Sequence, residues 1–414
     1  DSGITAHPDL DANVLPGYDF IAESAFSNDG NGRDSDPTDA GNWTVDNQCF
    51  TGSKATASDW HGTHVAGTIA AIANNNEGIA GVAPEAKIVP VRVLGACGGF
   101  DSDITDGIIW AAGGSVRGVP ANQNPAQVIN MSIGSEGTCT TPYRQAIAQA
   151  NKRGSIVVVA AGNNNFDASK SSPGNCEDVI NVGATDKNGK RSYFSNYGSR
   201  VDVSAPGGDR RYWGGGILST LNAGKTAPGK ADYAEYQGTS MAAPHVAGIV
   251  ALMKAVDPKL TYAQAKKVLQ STSQSVECDQ SACGSGIVNA ARAVQQVRSD
   301  REVAEAAAAE AARKKAAEEA ARKKAAEEAA RKKAEEDAKR HQTPAPKVTP
   351  APAPKTNRPV TRPSRPVTRP SYPSRPRHGH TPRYRSWYGS SANTYPSSGY
   401  PNNGYLGFAT GTHR

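Results

Sequence analysis

Short β-branched runs alternate with helical patterns along the first 298 residues, and no other feature restricts the fold as much. The runs lie at 87–94, 128–133, 155–161, 179–182 and 201–203. Between and after them, helical periodicity appears at 103–112, at 142–153 (closed by Gly154) and at 240–256. Two more helical patterns follow, at 262–271 and 287–297. Strand–helix–strand alternation predicts an α/β architecture with a mainly parallel sheet, right-handed crossovers and helices on both faces. Functional residues in such sheets gather at the carboxyl ends of the strands.

The pattern stops abruptly near Asp300. From there ARKKAAEEA recurs every nine residues, beginning at Ala312 and Ala321, with ARKKAEEDA from Ala330. Ala, Glu, Lys and Arg all favour helix. Glu318 and Glu319 stand four residues before Arg322 and Lys323, and Glu327 and Glu328 before Arg331 and Lys332, a spacing that supports a solvated helix. A nine-residue period puts successive repeats on opposite faces, so no apolar seam forms and a coiled coil is not expected. Residues 341–414 are rich in Pro, Arg, Ser and Tyr and hold 11 basic and no acidic side chains, the composition of a disordered basic tail. The expected organisation is therefore a folded domain at 1–298, a helical spacer at 299–340 and a tail at 341–414. Net charge follows this division. The chain is +7 overall, yet 1–298 carries 23 basic and 28 acidic residues, whereas 299–414 carries 23 and 11.

Six cysteines all fall before residue 284, without CxxC pairs or zinc-like spacing, which favours disulfides and an oxidising compartment. The longest clean apolar run, 156–161, is far below the roughly 20 residues of a membrane span. No transmembrane segment is expected.

Three short motifs carry the chemistry. Asp1-Ser2-Gly3 opens the sequence, His61-Gly62-Thr63-His64-Val65-Ala66-Gly67 follows, and Gly238-Thr239-Ser240-Met241-Ala242-Ala243-Pro244-His245 comes last. A serine becomes a nucleophile when a histidine takes its proton and a carboxylate orients that histidine. Each motif alone is weak: a lone Gly-Thr-Ser is far more often a helix N-cap than a nucleophile, and HGTH lacks the Glu and spacing of a zinc-binding helix. In this order on this fold pattern, 1–298 resembles the subtilisin-like serine peptidases (subtilases) of the secreted bacterial type, with an added helical and basic C-terminal tail. The resemblance implies a three-layer subtilisin-like fold and a secreted serine endopeptidase working through an acyl-enzyme. It implies Asp1 as orienting carboxylate, His61 as base and then acid, Ser240 as nucleophile and Asn163 as oxyanion donor. His64 and His245, alike in residue type, read as structural.

The resemblance further implies that protein or peptide substrates lie as an added strand along Gly98-Gly99-Phe100 and Ser132-Ile133-Gly134. It implies a Ca²⁺ site with Asp9 and Asn75 as side-chain ligands. A second acidic cluster, Asp34, Asp36 and Asp39, has the carboxylate density for another ion. The resemblance also implies pairing of Cys49 with Cys97, Cys139 with Cys176, and Cys278 with Cys283, although six cysteines alone allow 15 connectivities. The family places a buried strand and an N-terminal arm before the Asp that stands here as residue 1. A partial sequence is therefore the expectation, with an α-ammonium that would disturb the triad's charge pattern. A monomer is expected, without specific nucleic-acid binding. The tail has the charge to bind an anionic cell-envelope polymer. The alternative function is that of a cell-envelope attachment protein whose peptidase-like domain is a catalytically silent scaffold; the presence of all three triad residue types speaks against it.

Overall fold

A computed structural model describes residues 1–275, 277–278 and 283–341. In chain order the elements are β1 (Tyr18–Asp19), α1 (Ser24–Ser27), α2 (His61–Ala70), β2 (Val91–Arg92), α3 (Asp101–Ala111), β3 (Val128–Met131) and β4 (Ser135–Glu136). Then come α4 (Thr141–Lys152), β5 (Ile156–Ala160), β6 (Ser171–Ser172), β7 (Ile180–Thr185), β8 (Val203–Pro206), β9 (Ile217–Asn222) and β10 (Ala231–Tyr236). Three helices close the chain: α5 (Thr239–Val256), α6 (Tyr262–Thr272) and α7 (Ala290–Arg340).

The central sheet runs β3-β5-β7-β8 and every pairing is parallel, with Val128 opposite Ile156, Val158 opposite Ile180 and Val182 opposite Val203. β5 reads Ile-Val-Val-Val-Ala and is buried throughout, as a strand covered on both faces must be. Its period of two divides the core. Ile156, Val158 and Ala160 pack with Ala242, Val246, Val250 and Met253 of α5 and with Leu269 of α6. Val157 and Val159 pack on the other side with Ile104 and Ile108 of α3 and with Ala146, Ile147 and Ala150 of α4. These are the three layers of a subtilisin-like fold.

β1 and β2 form a separate parallel pair, and β9 and β10 an antiparallel hairpin. An apolar cavity of about 930 Å³, lined among others by Val91, Val93, Val128, Ala247 and Ala251, lies between β2 and β3. By length and composition α5 could cross a membrane, a property hidden from a search for unbroken apolar runs by its small and polar residues; 72% of it is buried in the core. Three disulfides form: Cys49–Cys97, Cys139–Cys176 and Cys278–Cys283.

Two units divide the described residues, Asp1–Glu310 and Ala311 onward. The first includes the start of α7, where Ala293 and Val297 are buried. In the second, every described side chain is exposed. Glu328 pairs with Lys332 at 2.8 Å, as the repeat spacing predicts, while Arg331 turns toward Glu335 at 3.6 Å. The sequence shift near 298 thus falls inside one continuous helix, because no Pro or Gly interrupts 290–340. The tail at 342–414 lies outside the described residues.

Candidate active site

His61 opens α2, and its Nδ1–H donates to Asp1 Oδ1 at 2.8 Å. The same carboxylate oxygen accepts the Ser2 N–H at 2.8 Å, while Oδ2 is buried without a partner. The Asp1 carbonyl accepts from Val93 and Leu94 N–H, which fixes the residue at the end of β2. Ser2 Oγ accepts the Gly62 N–H at 2.9 Å, joining the first two motifs directly. Gly62 is obligatory at this contact, since a Cβ there would lie 2.1 Å from the Gly3 carbonyl oxygen. With Nδ1 committed to Asp1, the tautomer leaves His61 Nε2 as the acceptor. Burial holds the imidazole below the ordinary histidine range, opposed by the charges of Asp59 and Asp39.

Ser240 is the second residue of α5, and α2 packs against α5. Its N–H is among the first four of the helix, which have no helical acceptor. Pro244 lacks the N–H that would bond the Ser240 carbonyl, so that carbonyl is free to accept Ser132 Oγ–H at 2.7 Å. In return Ser240 Oγ–H donates to the Ser132 carbonyl at 3.3 Å. The proline inside the helix is therefore what ties the serine to the segment after β3.

Asn163 Oδ1 accepts both the backbone N–H (2.8 Å) and Oγ1–H (2.9 Å) of Thr239. Its amide is thereby oriented, and Nδ2 has no acceptor among the described residues. Gly162 makes this possible. It has φ +104°, donates its N–H to Thr239 Oγ1 at 3.0 Å, and a Cβ would meet Asn196 Nδ2 at 2.3 Å.

Ser132–Gly134 runs from Ser240 into β4, which pairs with β6. Gly98 closes a tight turn on Gly95 with φ +104°, and Phe100 is exposed and meets Phe26 edge-on. His64 lies across the carbonyls of Ile217 (3.1 Å) and Ala234 (3.0 Å) and stacks on Tyr236. Burial lowers it to about 4, so it is neutral near pH 7 and structural in contacts. His245 donates to the Met241 carbonyl at 2.8 Å within its own helix.

Asp9 and Asn75 meet: Asn75 Nδ2 donates to Asp9 Oδ1 at 2.7 Å, while Oδ2 accepts Ile79 N–H and Tyr233 Oη–H. The second acidic cluster does not converge. Asp34 accepts from Asn31 and the Asp36 N–H, Asp36 caps Thr38, and Asp39 is buried and accepts the Gly41 N–H. Among the described residues no group of three or more His, Cys, Asp or Glu could hold a metal. Turn-capping accounts for the acid density at Asp34 and Asp36.

Sequence reasoning missed Arg92. This wholly buried guanidinium binds Asp19, Asp29 (2.6 Å) and the Ser27 carbonyl, and its Nε–H reaches the Ser2 carbonyl at 3.2 Å. Burial pushes Asp19 up to about 7 despite that partner. An arginine inside the apolar run at 87–94 was the signal.

Comparison with known proteins decides the family. The family model described as "Subtilase family" matches residues 1–311. The chain belongs to the subtilase family. This subtilase is 54% identical over 297 residues to an "Extracellular protease" of Xanthomonas campestris pv. campestris, covering 71% of this chain and 50% of that protein. It is 47% identical over 315 residues to an "Extracellular basic protease" of Dichelobacter nodosus, covering 74% and 51%. It thus spans about half the length of these curated relatives. A solved protease structure from Pseudoalteromonas arctica superposes with a TM-score of 0.70 at 53% identity, covering 72% of this chain and 88% of that one.

Proposed function

We propose that this subtilase is an extracellular serine endopeptidase, a reading carried by the Asp1–His61 hydrogen bond and supported by relatives named extracellular proteases. In the mechanism, Ser240 Oγ leaves its long bond to Ser132, gives its proton to His61 Nε2 and attacks the scissile carbonyl. Asp1 holds Nδ1–H and stabilises the imidazolium. The Ser240 N–H and Asn163 Nδ2 bind the tetrahedral oxyanion. His61 then protonates the leaving amine, and water releases the acyl group by the same route. Gly98–Phe100 and Ser132–Gly134 receive the substrate backbone.

Ser240→Ala should lower kcat/KM on a short peptide by orders of magnitude and abolish labelling by a sulfonyl fluoride. Asn163→Ala should cost about 10²–10³ in kcat, the loss known for the matching donor in subtilisin itself. Undiminished hydrolysis in the Ser240 variant would end the assignment.

Calcium at Asp9 and Asn75 belongs to this proposal. The buried carboxylate already faces the amide; turning that amide over would give up the Glu77 N–H bond to Asn75 Oδ1 (3.1 Å) and place two oxygens side by side, an arrangement that needs a cation. Bound there, calcium would supply stability. A chelator should then lower Tm in the parent protein and leave Asp9→Asn unmoved; equal Tm with and without chelator would remove the site. Asp34, Asp36 and Asp39 do not fit an ion. We assign residues 1–298 to the peptidase, 299–340 to a spacer and 341–414 to a basic segment suited to anionic envelope polymers.

A further inference from the structure

The loop joining β8 to β9 and Tyr193, which precedes β8, expose aromatic surface. Trp213 is 98% exposed, Tyr212 51% and Tyr193 40%. Large apolar patches on a folded surface mark interaction sites, and Trp, Tyr and Arg dominate binding hot spots.

This loop is built rather than slack. Asp209 is buried, accepts Arg211 Nε–H (2.9 Å) and Nη2–H (2.6 Å), and closes the turn by donating its N–H to the Gly215 carbonyl at 2.7 Å. The Arg211 guanidinium then lies 4.0 Å over the Tyr193 ring. Arg210 has no ion pair among the described residues. The loop is also fastened to the residues just before the serine. Gly238 N–H donates to the Gly207 carbonyl at 2.9 Å, Arg210 N–H to Gln237 Oε1 at 2.6 Å, and Gln237 Nε2–H to Tyr193 Oη at 3.0 Å. The aromatic platform is therefore continuous with the proposed active site through Gln237 and Gly238. It is not joined by any of these bonds to Gly98–Phe100 or Ser132–Gly134, the segments assigned to the acyl side.

We propose that Tyr193, Tyr212 and Trp213 form a binding platform for the leaving-group side of an extended polypeptide substrate, selecting aromatic or large aliphatic side chains several residues beyond the scissile bond. Arg210 adds a preference for a neighbouring carboxylate. The proposal rests on the peptidase reading and deepens it.

The test uses the full chain and quenched peptides that share one acyl side. One ends two residues past the scissile bond, one continues for six residues with Trp, Leu and Glu, and one continues for six with Gly and Ser. The apolar extension should raise kcat/KM about tenfold over the other two. In Trp213→Ala and Tyr212→Ala that advantage should vanish while the short peptide is cleaved at the parental rate. Equal cleavage of all three peptides by the parent, an equal loss on the short peptide, or a loss that follows extension on the acyl side would each overturn it. Anisotropy of the labelled apolar peptide on Ser240→Ala, with and without Trp213→Ala, separates the two readings. Trp213-dependent binding without any hydrolysis by the parent would leave the platform and end the peptidase reading. Hydrolysis with no dependence on Trp213 in either measurement would do the reverse.

Discussion

α5 and the repeat half of α7 are both helices, formed for different reasons. α5 holds Pro244 and Gly248, poor helix formers, and is helical because Ala242, Val246, Val250 and Met253 are pressed against β5 and β7. The stretch from Ala311 to Arg340 buries nothing and is helical because its residues favour that state, with pairs such as Glu328–Lys332 adding to it. Packing can therefore afford a proline where a serine carbonyl must be freed, and propensity cannot. Of the two, only the packed helix holds a residue assigned here to the proposed reaction, since a fixed side chain needs neighbours.

Core substitution should separate the two regions most sharply. Ile180→Ala, at a fully buried strand position, should cost about 2–5 kcal/mol in denaturant unfolding. Ala325→Gly should cost about 1 kcal/mol of local helicity and leave the main transition where it was. A shared transition responding to both would show that the regions unfold together.

Acid should also distinguish them. The ordinary histidine value is 6.5, and burial lowers His64 to about 4. Between those values the unfolded chain binds a proton that the folded chain refuses, so stability falls as pH falls. The loss approaches about 3 kcal/mol at the lower end. His64→Gln should flatten that slope in the body, and the helicity of 311–340 should not register the change. An unchanged slope would mean that His64 takes up its proton in place.

The smallest effect tests the tail. Deleting 300–414 should leave the rate on a short peptide within about twofold, because the assigned catalytic groups, from Asp1 to Ser240, all precede the cut. Retention on an anionic surface should weaken in the deleted form and fall with salt. Equal retention at low salt would remove the anchoring role.

Much of this was legible in residue order. The run at 155–161 announced a strand buried on both faces, the nine-residue repeat announced an exposed helix, and the first two motifs held the Asp1 and His61 side chains that bond to each other. Other features were not. The acids at Asp34, Asp36 and Asp39 read as one cluster because sequence spacing does not record where oxygens point; two cap turns and one is buried. Arg92 could be seen as an anomaly in a strand, yet its partners Asp19 and Asp29 are more than sixty residues away.

By itself, then, the sequence determined the local states and the chemical inventory, because propensity, period and residue type act over a few neighbours. Tertiary structure alone decided the His61 tautomer, the orientation of the Asn163 amide, the release of the Ser240 carbonyl to Ser132 and the bond of Tyr193 to Gln237. Each depends on a hydrogen bond or close approach between distant segments, which exists only once the sheet has brought them together.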